Sequence, residues 1–369
     1  MSGPPQTKDG QCLRRGGAAG TVPSARGRYR HGAGAMSGPP HWEMVELVTG
    51  YHPPWWYRGR HLQTLWGPLF RRFGALPLRR ERVHTADGDF LDVDWLARAP
   101  AGAPLVLVLH GLEGSSRSHY VAGLLREAAA LGLRALVLNF RSCSGELNRA
   151  PRLYHSGETS DLDAIIQWIL EREPTLSLGL VGVSLGGNVA LKWLGERGAG
   201  APPQLVGAVA ISTPFDLAAC AGVLDRGLPR ALYTRQFLRT LKAKVRAKAR
   251  LYDGRVDTDA ALRARTFREY DRLVTAPLHG FVDEHDYWTR SSSGAYLPAI
   301  RRPCLVISAL NDPFMPPSGL PREAVGRSPW LEALFPPEGG HAGFLEGPLG
   351  RRSWAERQAL AFLHRHLLG

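Results

Sequence analysis

At 369 residues, 44% hydrophobic and 21% charged, the chain has the length of one large α/β domain or two ordinary ones and the composition of a globular protein with a real core. Its net charge of +13 is accounted for by +5 in residues 1–40 and +8 in residues 220–272; no RNA-reading or helix-turn-helix pattern accompanies it, which argues against a nucleic-acid partner. Cys12, Cys143, Cys220 and Cys304 are too scattered for a disulfide framework or a thiolate zinc site, which fits a reduced, cytoplasmic setting, and no apolar run is long enough to cross a bilayer.

Residues 1–40 are rich in Gly, Pro, Ser, Ala and Arg, lack apolar periodicity, and read as a disordered basic tail without the apolar core of a secretory signal. Met-Ser-Gly-Pro-Pro occurs at Met1 and again at Met36, which fits a translation start at Met36. Residues 41–80 form an aromatic-rich arm, with Tyr51-His52-Pro53-Pro54-Trp55-Trp56-Tyr57 beside several arginines. Such an arm either packs on the core or makes a sticky, membrane-facing surface; the burial habit of large aromatics favours the core. The main domain is expected over 81–369. Residues 82–96 read as two strands around the turn Ala86-Asp87-Gly88.

Strands at 104–110, 133–139, 178–183, 205–211, 304–310 and 330–335 alternate with helices at 119–131, 160–172, from 185 onward, and 353–368. Repeated βα units imply an α/β fold, a mostly parallel sheet flanked by helices. The stretch 212–302 is too long for a crossover and is expected to be a helical cap, about 213–300, inserted between strands over their carboxyl ends. Within it, residues 230–250 read as a basic helix with Tyr233, Phe237, Leu241 and Val245 as a stripe. That helix is either loosely attracted to anionic membranes or solvated with its stripe on the core.

The chemistry centres on Gly182-Val183-Ser184-Leu185-Gly186, a G-x-S-x-G between an apolar strand and a helix. Glycines on both sides leave room for the sharp corner that would lift the Ser184 hydroxyl clear of the sheet. A serine needs a base and an acid that orients the base, in the chain order Ser, Asp or Glu, His. Asp312, after the strand at 304–310, and His341, after the last strand, fill that order; Asp283 and Asp286 compete for the acid role. Main-chain N–H groups of Leu185 and of Leu112, in His110-Gly111-Leu112-Glu113-Gly114, are the candidate oxyanion donors.

From about residue 50 to the end, the chain resembles the YheT-like hydrolases, bacterial α/β-hydrolases akin to eukaryotic α/β-hydrolase-domain proteins. The blocks that carry the resemblance include Arg60-His61-Leu62-Gln63-Thr64-Leu65-Trp66, His110-Gly111-Leu112-Glu113-Gly114, and Asn139-Phe140-Arg141-Ser142-Cys143-Ser144-Gly145-Glu146. Others are His155-Ser156-Gly157 with Asp161, Gly182 to Gly187, His279-Gly280-Phe281, Asn311-Asp312-Pro313 and Gly339-Gly340-His341. Ser142 departs from the family, which usually shows Gly there. The resemblance implies an α/β-hydrolase fold, a triad of Ser184, Asp312 and His341, and cofactor-free esterase activity, with lipid esters suggested by the eukaryotic relatives.

The expected function is therefore hydrolysis of a small-molecule carboxylic ester, lipid-like or of short to medium acyl length, through an acyl-enzyme at Ser184. Acyl transfer from the same intermediate, or a non-catalytic binding role on this fold, would share these features. His84 and Asp89 match an acyltransferase-like H-x-x-x-x-D but straddle the hairpin turn, which favours a structural role. His155 and Asp161 carry no assigned chemistry, although Asp161 suits a helix start. Peripheral membrane contact is the one expected partner besides the ester.

Overall fold

The computed structural model describes Gly3 and residues 50–74, 76–97, 100 and 102–368. The expected tail, apart from Gly3, and the first part of the aromatic arm lie outside the described residues. From Gly50 onward the chain belongs to one unit, Pro40–Gly369.

An eight-stranded sheet organises that unit, in the order β1-β2-β4-β3-β5-β6-β7-β8. The strands are β1 (Leu78–His84), β2 (Phe90–Leu96), β3 (Leu105–Leu109), β4 (Arg134–Asn139), β5 (Leu178–Val183), β6 (Leu205–Ile211), β7 (Cys304–Ile307) and β8 (Leu331–Leu334). β1 and β2 form the expected hairpin, with His84 opposite Phe90 and Gly88 at φ 75° in the turn. β2 runs antiparallel to β4, and the remaining pairings are parallel. β1 starts before Arg82, at Leu78; Leu78-Arg79-Arg80-Glu81 has no apolar alternation, so periodicity does not announce this part of the strand. Its arginines instead pair across the strands, Arg80 with Asp94 and Arg82 with Asp92, each at 2.8 Å.

β3 and β5 are apolar throughout and fully buried, as parallel strands covered on both faces must be. Alternation sorts their side chains. Leu105, Leu107 and Leu109 pack with Ile165 and Ile166 of α3 (Ser160–Arg172) and Val189 and Leu194 of α4 (Leu185–Arg197). Val106 and Val108 face the other layer, Leu124 and Leu125 of α2 (His119–Ala130) and Leu360 and Leu363 of the last helix, α8 (Trp354–Leu367). Because β3 lies between β4 and β5, the winding direction reverses there, and the crevice at the carboxyl ends opens beside it.

Between β6 and β7 the chain makes a set of helices, among them α5 (Leu217–Leu224), α6 (Arg235–Lys248) and α7 (Glu284–Ser291). They share a third apolar cluster that includes Leu217, Tyr233, Leu241, Val245 and Trp288. The basic helix expected from residue 230 becomes regular α-helix only at Arg235, after a wider π turn, Arg230–Thr234. Its stripe is buried at Tyr233, Leu241 and Val245 and half-buried at Phe237. Two of its lysines, Lys244 and Lys248, also turn inward. In the N-terminal arm, α1 (Arg60–Phe70) follows buried Tyr51 and Tyr57, while Trp55 remains 83% exposed. A short pair, β9 (Leu345–Glu346) with β10 (Arg352–Ser353), precedes α8 and is too brief for periodicity to reveal. No helix of the described residues is long and apolar enough to cross a membrane.

Candidate active site

Ser184 sits at the corner between β5 and α4 with φ 55° and ψ −122°, a backbone state held only when its surroundings over-determine it. The Ser184 N–H donates to the Ile211 carbonyl (2.8 Å), and the Asn188 N–H donates to the Ser184 carbonyl (3.1 Å). The flanking glycines are sterically required. A Cβ at Gly186 would lie 2.5 Å from the Leu109 carbonyl oxygen, and one at Gly182 would strike the main chain at Gly186.

The hydroxyl of Ser184 stands 2.9 Å from Nε2 of His341, and Nδ1 of His341 stands 2.8 Å from the Asp312 carboxylate. Asp312 is 3% exposed, and its other oxygen accepts the Phe314 N–H at 2.8 Å. A carboxylate only accepts, so Nδ1 carries the imidazole proton and the Nε2 lone pair faces the serine hydroxyl. The Phe314 ring stacks on His341 at 3.9 Å and shields it on one side. The competing acids are elsewhere: Asp283 caps α7 through the Asp286 N–H, and Asp286 accepts the Val282 N–H and pairs with Arg290.

The loop after β3 passes close to the serine, for a Cβ at Gly111 would lie 3.2 Å from the Ser184 Cβ. His110 sits beneath it, fully buried, and accepts the Phe140 N–H at Nε2 (3.0 Å). Its Nδ1 therefore carries the proton and donates to the Gly111 carbonyl (2.7 Å), which also accepts the Gly114 N–H (3.0 Å). A trans peptide points its C=O and N–H in opposite directions, so pinning the Gly111 carbonyl fixes where the Leu112 N–H points. The neighbouring amides are occupied: Gly111 N–H by the Tyr120 hydroxyl (2.8 Å) and Glu113 N–H by the Tyr154 hydroxyl (2.6 Å). Leu185 opens α4, where first-turn N–H groups have no partner within the helix. Leu112, Ser184, Leu185 and His341 line one cavity of about 1020 Å³, whose far wall includes Leu224, Phe237 and Leu241.

Sequence reasoning missed the residues that hold the Asp312 and His341 loops in place. Gln63 of α1, completely buried, donates to the Tyr57 carbonyl (2.8 Å) and accepts from the Asn311 side chain (2.8 Å) and the Gly339 N–H (3.0 Å). Thr64 Oγ1 accepts the His341 N–H at 3.0 Å. The block around them stood out in the sequence, but nothing there said which distant loops it would touch.

The remaining singled-out residues have structural surroundings. Asp89 is fully buried and accepts from Arg141 (3.1 Å), Asn148 (3.0 Å) and three main-chain N–H groups, while His84 is exposed at the end of β1. Asp161 is held by Arg141 at 2.8 Å, and His155 packs against His279 with ring centres 4.4 Å apart. Among the described residues, His155, Glu158 and His279 bring metal-ligand atoms within 4.8 Å of one another. The donor set suits a cation poorly. His155 Nδ1 already accepts the Gly157 N–H, which leaves the proton on Nε2, and Arg152 holds the Glu158 carboxylate at 3.1 Å.

Residues 104–348 match the model of a family described as alpha/beta hydrolase fold. "Putative esterase YheT" of Escherichia coli (strain K12) is 37% identical over 313 residues, covering 83% of this chain and 91% of that protein. "Phospholipase ABHD3" of Homo sapiens is 30% identical over 316 residues, covering 84% and 76%. The solved structure of the Pyrococcus furiosus esterase Pf2001 superposes with a TM-score of 0.51 at 18% identity, covering 80% of this chain and 98% of that one, a likeness of fold.

Proposed function

We propose that this chain, which belongs to the YheT-like α/β-hydrolase family, cleaves carboxylic esters through an acyl-enzyme on Ser184. The observation that carries the reading is the chain of contacts from Asp312 through His341 to the Ser184 hydroxyl, 2.8 and 2.9 Å long. Ser184 Oγ attacks the ester carbonyl while its proton passes to His341 Nε2, and Asp312 stabilises the imidazolium. The carbonyl oxygen gathers negative charge and accepts hydrogen bonds from the Leu112 and Leu185 N–H groups. Collapse breaks the C–O bond, and His341 returns the proton to the departing alcohol. Water then attacks the acyl-enzyme by the same steps in reverse, releasing the acid and restoring Ser184.

The cavity is at the upper end of the size range of ligand pockets, and its insertion-side wall is mainly aliphatic and aromatic, which supports substrates with a sizeable apolar acyl chain. The names of the relatives point to an ester substrate, and that of the phospholipase to a lipid one. Exposed arginines on α6 (Arg235, Arg239, Arg246) support loose contact with an anionic lipid surface as part of this reading.

Ser184→Ala, assayed with p-nitrophenyl esters, is expected to lower kcat by about 10⁴-fold or more, as loss of an activated serine does. Unchanged turnover would remove the proposal. A series of acyl lengths is expected to show KM falling as the chain grows; a preference for acetyl over every longer acyl group would contradict the lipid-like substrate.

A further inference from the structure

Lys244 lies on α6, in the helical insertion, and Glu113 follows Leu112 in the loop after β3. Their side chains meet inside the protein, 15% and 8% exposed, with Nζ donating to Glu113 Oε1 at 2.6 Å. The Tyr154 hydroxyl completes the arrangement: it accepts the Glu113 N–H at 2.6 Å and donates to Glu113 Oε1 at 2.7 Å. The backbone and side chain of one residue are thus closed around a single phenol. That phenol is in turn fixed by its ring, which stacks parallel to Phe140 with centres 5.5 Å apart. The Lys244 ammonium also lies 5.2 Å over the Tyr154 ring and 3.2 Å from Cys143 Sγ.

Two features set this pair apart from an ordinary ion pair. Glu113 has φ 56°, a left-handed backbone that a non-glycine residue keeps only under constraint, and the groups that constrain it are Tyr154 and Lys244. The pair also joins the insertion to the loop after β3, and because both charges are buried, removing either partner leaves the other uncompensated. The geometry fixed here belongs to the peptide next to Leu112.

We propose that Lys244 and Glu113 are positioning residues of the ester cleavage: the insertion reaches down with a cation and holds the loop after β3 so that the Leu112 N–H keeps its aim at the reacting oxygen. This rests on the reading of Ser184 as nucleophile and Leu112 as donor. It adds that the insertion is part of the reaction site and more than a cover, because the loop is completed from α6. His110 fixes the Gly111 end of the loop from below, and the Lys244–Glu113 pair fixes the Glu113 end from above.

The experiment compares Lys244→Met, Lys244→Arg, Glu113→Gln and the double variant Lys244→Met/Glu113→Gln with wild-type protein and Ser184→Ala, measuring kcat, KM and thermal melting with p-nitrophenyl butyrate. Lys244→Met is expected to lower kcat about tenfold to a hundredfold, approaching the loss of one oxyanion donor, with KM changed less than threefold. Lys244→Arg, which keeps the charge, should recover most of the lost kcat, and the double variant should be no slower than Lys244→Met, because both remove one interaction. Full kcat in folded Lys244→Met, a loss confined to KM, or independent multiplying effects in the double variant would each overturn the clamp. Should Lys244→Met not fold, Glu113→Gln, close in shape, decides by the same kcat criterion. If Ser184→Ala is inactive while Lys244→Met keeps full kcat, the clamp fails and the serine reading stands; if Ser184→Ala turns over normally, the serine reading itself has failed.

Discussion

Ser142 has a φ of 61°, the left-handed region that favours glycine, which accounts for the glycine that the resemblance leads one to expect there. The left-handed turn is kept here by Asn148, whose side chain accepts the Ser142 N–H and whose own N–H donates to Ser142 Oγ at 3.1 Å. Asp312 offers a sharper test of a single group. Asp312→Asn would leave the shape intact but favour the wrong imidazole tautomer, and kcat is expected to fall about 10⁴-fold with little change in melting temperature. His110 gives a prediction in pH. Burial pulls its pKa down to about 4, so the folded protein keeps it neutral where the unfolded chain, with an ordinary value of 6.5, takes up a proton. The unfolded state binds more protons in this window, so stability is intact above pH 6.5 and is lost as pH falls toward 4. The loss from this group is about 3 kcal/mol, and urea titrations at pH 7.5 and 4.5 should show a smaller gap in His110→Gln.

At the scale of elements, α1 is a strut beneath the two loops that bring Asp312 and His341 to the serine. Its first turns touch the loops through Gln63 and Thr64, and the loops meet each other where the Asn311 side chain accepts the Gly340 N–H at 2.9 Å. Gln63→Ala leaves the buried Gly339 N–H and the half-buried Asn311 amide without this partner, and is expected to cost about 1–3 kcal/mol by urea unfolding, with kcat falling as the loops loosen. Gly340→Ala tests the same contact from the other side. Gly340 has φ 61°, and a Cβ there would lie 2.8 Å from that of Gln63, so kcat and melting temperature are both expected to fall. The role of α1 was not legible in the sequence, since strand and helix periods report which face is buried and not which loop, hundreds of residues away, will accept a hydrogen bond. Asp312, His341 and Ser184 were legible because each follows a strand in a topology that returns every parallel strand to one edge.

For the molecule as a whole, charge separates into parts that face inward and parts that face water. Residues 220–272 carry a net +8, yet Lys244 is drawn to Glu113, and Lys248, 2% exposed, donates to the Ala150 and Arg152 carbonyls. What remains outside includes the arginines of α6, those flanking it (Arg226, Arg230, Arg250, Arg255, Arg263, Arg268 and Arg272), and in the arm the exposed Trp55, Leu69 and Phe70. Sedimentation with vesicles is expected to show binding to anionic lipid that weakens from low salt to 0.5 M, as screening shortens the reach of exposed charges; equal binding to zwitterionic vesicles would contradict an electrostatic contact. By itself the sequence determined the βα alternation, the hairpin at Asp87-Gly88, the corner at Ser184 and the placing of Asp312 and His341 after later strands, because these follow from local period, glycine sterics and the rule that parallel strands end at one edge. Only the tertiary structure decided that α1 braces two loops, that two lysines of a basic helix turn inward, and that Glu113 is held from the insertion. Those outcomes depend on hydrogen bonds and ion pairs between segments far apart in the chain, and no local pattern of residue types encodes which of them will meet.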